Sequence, residues 1–322
     1  MPSIKDVAMK AGVSVRTVGR ALYGGGPVKD EVRQRVELAV KQAGYAPNLA
    51  ARSLKTGRGY LVAALVASGD ELHMARLDAF QIEIEAAGFG LHVIFISGGK
   101  EPLGLVDSLV RLGVAGLACF HVSATRLRKE FEGRGLRLPA VAFDHQDPGA
   151  DAVLLDRPRG IEEAVHDLAA KGRRRIAYLG PADPSRLDGY ARAVRDLGLP
   201  YLVHHPDLKD GEISMGEQGM QELLDKAMQP DGVQAFSDMM AAGALRCCHR
   251  RGLRVPQDIA LVGFDNRRLA LCLWPQLTTV AQPNEEIGRR MACLLLARLR
   301  GAAPDAPVIE SVTPMLVRRE ST

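Results

Sequence analysis

The sequence predicts an α/β protein: an all-α helix-turn-helix head followed by a two-lobed α/β body built on parallel sheets. Charge is the first of three observations behind this. Residues 1–58 carry eleven Lys and Arg against four Asp and Glu, a balance of +7, whereas the remaining residues carry 31 against 34, a balance of −3. The second is helical periodicity broken by turn residues up to Gly44. The third, from Tyr60 onward, is a succession of short apolar runs alternating with amphipathic stretches, the mark of repeated βαβ units.

In the head, Ile4, Val7, Ala8 and Ala11 recur at helical spacing, and Gly12 follows where a left-handed C-cap belongs. Ser14 is a natural N-cap for a second helix that turns Val18, Ala21 and Leu22 inward and sets Arg16 and Arg20 four apart on another face. The run Tyr23-Gly24-Gly25-Gly26-Pro27 ends it. A third helix over 30–43 directs Val32, Val36, Leu38, Ala39 and Ala43 toward a core and stops at Gly44.

Strands are predicted near 61–67, 91–97, 115–120, 140–143, 175–180, 234–236 and 259–264, with helices near 76–87, 103–112, 161–171, 186–197, 216–228 and 238–251. Near-continuous apolar strands such as LVAALVA imply parallel sheets covered on both faces. A chain of 322 residues exceeds one ordinary core, so two or three folding units are expected.

Several function classes lose support. No window approaches the roughly 18 apolar residues of a membrane helix. MPSIKDVAMK puts Asp6 where a signal peptide needs an apolar stretch, so a cytoplasmic protein is expected. The five cysteines have no disulfide-scaffold spacing, which suits reduced thiols. There is no nucleophile elbow, phosphate-binding loop or dinucleotide fingerprint, so no enzyme and no cofactor are predicted. Cys247-Cys248-His249 is the only metal-like cluster, and adjacent helical residues point about 100° apart, so no metal site is predicted either.

Two short helices with arginines near the start of the second meet the requirement for reading a DNA major groove, though a small helical bundle with a charged face fits the same pattern. SIKDVAMKAGVSVRTVGRAL, followed by RQRVELAVKQAGYAPNLAARSLKTGR, resembles the N-terminal region of the lactose-repressor/galactose-repressor family of bacterial regulators. VAGLACF, KGRRRIAYLG, SRLDGYARAV, AFSDMMAAGALRCCHRRGLRVPQDIALVGFDN and QLTTVAQPNEEIGRRM continue the likeness in family order across the chain.

The resemblance implies a DNA-binding domain over 1–45, a hinge over 46–58 and an effector-binding and dimerisation domain over 59–322. That domain resembles a periplasmic binding protein, with one lobe at about 59–156 plus 283–310 and the other at about 157–282 plus 311–322. It also implies that Val15, Arg16 and Arg20 read base edges, that Thr17 contacts phosphate, and that Leu54 wedges into the minor groove with Asn48, Ala51 and Lys55 beside it. Gly19 and Tyr23 depart from the family's usual Ser and Asn; a glycine there weakens the helix by about 1 kcal/mol relative to Ala.

In paired α/β lobes a ligand binds at the carboxyl ends of the strands. By family position the candidates are Ser68, Phe120, Asp144, Arg186, Ser237, Asp238 and Asp265; Asp238 could equally N-cap the helix after its strand. Carboxylates and an arginine suit a polyhydroxylated or acidic effector. Phe120 stands where sugar-binding members are polar, which implies an aromatic platform or a less polar ligand, and His73, His121 and His145 could complement an acidic one. The loops SGDELHMARLDAF and PADPSRLDGY depart from the family pattern. The expected partners are therefore double-stranded operator DNA, a small-molecule effector and a second copy, as a homodimer or a tetramer, with no membrane. The alternative is a metabolite-binding module that binds no operator.

Overall fold

The computed structural model describes residues 2–23, 26–45, 59–96, 104–207, 211–226 and 229–322. The chain divides into two compact units, Met1–Tyr60 and Leu61–Thr322.

The first unit contains α1 (Ile4–Ala11), α2 (Val15–Tyr23) and α3 (Asp30–Ala43). Gly12 and Gly44 adopt φ of 64° and 60°, the left-handed C-caps their positions predict. Ser14 Oγ accepts a hydrogen bond from Thr17 N at 3.1 Å and so caps α2. Val7, Ala8, Ala11, Val18, Ala21, Val36 and Ala39 form the core. Arg33 ties α3 to the end of α2 by donating to the Ala21 carbonyl at 2.9 Å. Leu38, placed inward by the sequence reading, is 57% exposed; two residues beyond Val36 it falls roughly 200° around the helix from that buried position.

The second unit holds two six-stranded sheets. Its strands are β1 (Leu61–Val66), β2 (Gly90–Phe95), β3 (Val114–Phe120), β4 (Ala140–Phe143), β5 (Asp151–Leu155), β6 (Ile176–Leu179), β7 (Leu202–His204), β8 (Gly232–Ala235), β9 (Ala260–Asp265), β10 (Thr278–Ala281), β11 (Ile309–Val312) and β12 (Met315–Val317). The first sheet runs β11-β5-β4-β3-β1-β2 and the second β12-β10-β9-β8-β6-β7. All pairings are parallel except β10 with β12. Central strands such as β9 are buried along their whole length, as sheets covered on both faces require.

Helices α4 (Glu71–Ala86), α5 (Leu105–Leu112), α6 (Thr125–Glu132), α7 (Arg157–Ala170), α8 (Pro184–Asp196), α9 (Glu212–Asp225), α10 (Asp238–Arg250), α11 (Leu269–Cys272) and α12 (Asn284–Leu299) cover the sheets. The chain passes between lobes three times: from β5 into α7, from β10 into α12, and from β11 to β12. The last passage lies slightly beyond the position expected from the sequence, because Ser311 and Val312 still pair with Leu154 and Leu155 of the first sheet. α12 packs on α4 so closely that a Cβ on Gly288 would lie 2.2 Å from the Arg76 carbonyl oxygen. This close approach fixes where Arg76 sits.

Candidate functional site

In the head, α2 carries Val15 and Arg16 exposed, Thr17 and Arg20 half-buried. Thr17 Oγ1 lies 2.9 Å from Ser14 Oγ, so its hydroxyl is tied to the cap, and the Arg20 side chain lies along the backbone at Gly26. Neither Arg16 nor Arg20 has an ion-pair partner among the described residues. A folded helix thus holds two uncommitted cations one turn apart, the arrangement that phosphate and base-edge contacts require. Asn48, Ala51, Leu54 and Lys55 lie outside the described residues.

In the second unit, charged side chains gather where the lobes meet at the strand ends. His121, Asp144 and Asp265 follow or end β3, β4 and β9 with φ of 55°, 61° and 113°. Such backbone is rare for residues with a Cβ and costs on the order of 1–3 kcal/mol each, so the surrounding packing must impose it. Asp144 Oδ1 accepts from Leu155 N at 3.1 Å. Its Oδ2 takes a hydrogen bond from Arg157 Nη2 and lies 2.9 Å from His121 Nε2. Asp144 lies on the first lobe and Arg157 opens the first helix of the second, so the pair spans the junction with only 10% and 15% of the side chains exposed. Burial opposes ionisation of Asp144, yet the Arg157 bond and charge outweigh it and hold the pKa below 3.8. Burial dominates for His121, pushing its pKa down to about 3, so the ring is neutral at physiological pH.

Across the junction, Arg186 of α8 is buried between two rings, its Cζ 4.0 Å from the Phe236 centroid and 4.6 Å from that of Phe264. Asp183 caps α8 through Arg186 N at 2.8 Å and faces the guanidinium at 3.4 Å. Asp265 accepts from Gln282 Nε2 at 2.5 Å and from Arg267 Nε at 3.3 Å, and burial raises its pKa. Arg267 also comes within 3.9 Å of Asp70 and Glu71 at the start of α4, which closes the rim. A cavity of about 280 Å³ opens beside His121, Ser123 and His145 on the first-lobe side.

Three expected ligand residues, Asp144, Arg186 and Asp265, therefore converge. Ser68 sits at the rim, where it donates to Asp70 Oδ2 at 2.7 Å beside His73. The other three have different surroundings. Phe120 is no open platform: its ring is wholly buried, edge-on to Phe80 with centroids 5.5 Å apart. Ser237, not Asp238, caps α10, accepting from Met240 N at 3.2 Å while its hydroxyl bonds Glu212. Both Asp238 oxygens are held within its own lobe, by the Thr279 hydroxyl and by Arg267 N.

Sequence reasoning did not single out Arg76, Arg157, Asp183 or Gln282. Arg76 left a readable trace: it interrupts the buried stripe Leu72, Leu77, Phe80 and Ile84 of α4, where an arginine is out of place unless it has a task. Among the described residues no helix is long and apolar enough to cross a membrane, and no group of three His, Cys, Asp or Glu is placed to hold a metal ion.

The comparisons with known proteins agree with both units. Residues 3–48 match the bacterial regulatory proteins of the lacI family, and residues 165–322 match a periplasmic binding protein-like domain. The HTH-type transcriptional regulator GntR of Pseudomonas aeruginosa is 33% identical, covering 100% of this chain and 96% of that protein. The HTH-type transcriptional repressor CytR of Escherichia coli is 32% identical over 93% of this chain and 90% of its own length. The solved complex of the transcriptional regulator CelR with cellobiose superposes with a TM-score of 0.70 at 29% identity, covering 100% of both chains. With a capped three-helix head matched at one end, a two-sheet body matched at the other and relatives aligned over nearly the whole chain, the protein belongs to the lacI family of bacterial regulatory proteins.

Proposed function

We propose that the protein is a ligand-controlled, cytoplasmic transcriptional repressor with no catalytic activity of its own. It binds a pseudo-palindromic operator as a homodimer, with one α2 helix in each half-site. Val15, Arg16 and Arg20 read base edges and Thr17 contacts phosphate. Between the half-sites Leu54 enters the minor groove, flanked by Asn48, Ala51 and Lys55. A small hydroxylated effector occupies the junction between the lobes, where Asp144, Arg186 and Asp265 contact it. The observation that carries this reading is the convergence of buried charged groups on strained backbone at the strand ends, next to three interlobe crossings.

The effector acts only through its differential affinity for two lobe arrangements. The Asp144–Arg157 pair and the Arg267 contacts to Asp70 and Glu71 span the lobes, so they are made in one arrangement and lost in the other. A gel-shift assay of the purified protein on its own promoter fragment, with and without a panel of sugars, sugar acids and purines, tests the reading. A specific shift that one panel member alters is expected. Absence of any sequence-specific shift would leave a metabolite-binding module without operator binding.

A further inference from the structure

The cleft arginines differ in their company. Arg157 is paired with Asp144, Arg186 faces Asp183 at 3.4 Å and Arg267 faces Asp265 at 3.3 Å. Arg76 is the exception. It is 0% exposed, and among the described residues no carboxylate lies within ion-pairing distance of it. Its Nε donates to Asn284 Oδ1 at 2.8 Å and its Nη2 to Gln282 Oε1 at 2.7 Å, both neutral amide oxygens of the interlobe crossing. One face of the guanidinium is covered by the Phe143 ring, 4.3 Å from Cζ to centroid. Its Nη1 is buried with no hydrogen-bond partner among the described residues, and so is His73 Nε2, one helical turn away.

A buried cation with no carboxylate in contact is unfavourable; Asp144, Asp265 and Asp70 act on Arg76 only from beyond ion-pairing distance. Here the fold secures it: Gln282 also donates to Asp265, so one amide ties the guanidinium to the second lobe. A group held this firmly with one edge unsatisfied is prepared for an incoming anion. His73 Nδ1 lies 3.0 Å from Asp70 Oδ1; with its proton there, Nε2 is left to accept a hydroxyl.

We infer that the effector is a polyhydroxylated monocarboxylate and that Arg76 supplies its counter-charge; this rests on the reading of the lobe junction as the effector site. The one open donor of Arg76, Nη1, suits one carboxylate oxygen, whereas a phosphate monoester would bring −1.5 to −2 at pH 7 toward Asp144 and Asp265, whose charges already reach this arginine. The hydroxyls of such a ligand can be shared among the carboxylates and amides already present at the junction.

The experiment is calorimetric titration and thermal melting of the full chain and of Arg76→Met and Arg76→Lys. The probes are five- and six-carbon aldonates and uronates, the matching neutral aldoses, and the aldose phosphates. At least one monocarboxylate should bind the parent protein and raise its melting temperature, with the neutral counterpart far weaker. Arg76→Met, which keeps the aliphatic stem on Phe143, should lose on the order of 100-fold in carboxylate affinity, as for one partner of a buried charge pair. Its ligand-free melting temperature should equal or exceed the parent's, and Arg76→Lys should retain intermediate affinity.

A neutral aldose that binds the parent and Arg76→Met equally overturns the charge assignment and leaves the effector site standing. Tighter binding of phosphates overturns the single-charge form. A ligand-free collapse of both variants shows Arg76 to be a structural tie and also overturns it. Binding of no probe to the parent removes the carboxylate assignment together with the site.

Discussion

Asp238 offers a test that needs neither DNA nor effector. Its carboxyl has no exposure, and its two oxygens accept from the Thr279 hydroxyl and from Arg267 N, both neutral donors. Burial is the largest influence and lifts the pKa from 3.8 to about 7, with Asp265 pushing the same way and Thr279 and Arg267 pulling back. Below about pH 4 the group is protonated folded or unfolded and contributes nothing. Between 3.8 and about 7 the folded chain holds a proton that the unfolded chain has released, so stability falls as pH rises through that window and the loss is complete above it. The whole shift corresponds to roughly 4 kcal/mol at most.

Asp238→Asn removes the titration while preserving shape. The amide oxygen can keep Arg267 N, and the amide nitrogen can donate to the Thr279 oxygen once that hydroxyl rotates. Urea denaturation of both proteins at pH 4 to 8 reads the effect in their difference, to which Asp265, coupled to Asp238, also contributes. The variant should match the parent near pH 4, gain on it through the window, and lead by about 1–3 kcal/mol at pH 8 once an imperfect amide fit is allowed for. A difference that stays flat with pH, or that grows in the parent's favour, would refute the buried-acid account.

Three further outcomes follow from packing, pairing and the head. Gly288→Ala puts a methyl 2.2 Å from the Arg76 carbonyl oxygen; despite alanine's better helix propensity it should cost about 1–3 kcal/mol in chemical denaturation, and an unchanged midpoint would contradict the close α4–α12 contact. Arg157→Met strands the Asp144 carboxylate in the interior and should destabilise the body by about 3–5 kcal/mol, whereas Asp144→Asn combined with Arg157→Met should recover most of that loss; a double-mutant cycle showing no coupling would dismiss the interlobe pair. Arg16→Ala should weaken operator binding by about 1–3 kcal/mol in fluorescence anisotropy and leave non-specific DNA nearly unaffected, and an equal loss on both would make Arg16 a phosphate contact instead.

What was legible in the sequence was what local chemistry decides. Gly12 and Gly44 could be read as caps because left-handed backbone is a single-residue property, and the apolar stripe through Val7, Ala11, Val18 and Val36 because a helix has one period. The long buried strands announced themselves by composition. The short late ones did not: β10, Thr-Thr-Val-Ala, lies between β12 and β9, and β11, Ile-Glu-Ser-Val, is the edge beside β5, and four residues are too few to show a period of their own. Their β-branched residues favour a strand, and pairing with distant neighbours selects it.

The junction between the lobes divides along the same line. Asp144 and Asp265 could be anticipated because a parallel sheet offers its carboxyl ends to a ligand, so a residue directly after a strand is placed by topology alone. Arg76 is placed by contacts to Gln282 and Asn284, 206 and 208 positions away along the chain, and no local rule reaches that far. Its only trace in sequence was a violation, an arginine inside an apolar stripe, and the fold gives that violation meaning by contacting it with amide oxygens and leaving Nη1 without a partner among the described residues. The same distinction separates scaffold from site among the acids. Both oxygens of Asp238 are bonded inside its own lobe, so its burial is a property of the second lobe alone. Asp144 meets Arg157 across the junction and Asp265 meets Arg76 through Gln282, so any change in lobe arrangement must alter their environment. Charge changes at Asp144 or Arg157 should therefore move effector response and stability together, Arg76→Met should move effector response with ligand-free stability kept or raised, and a change at Asp238 should move stability alone.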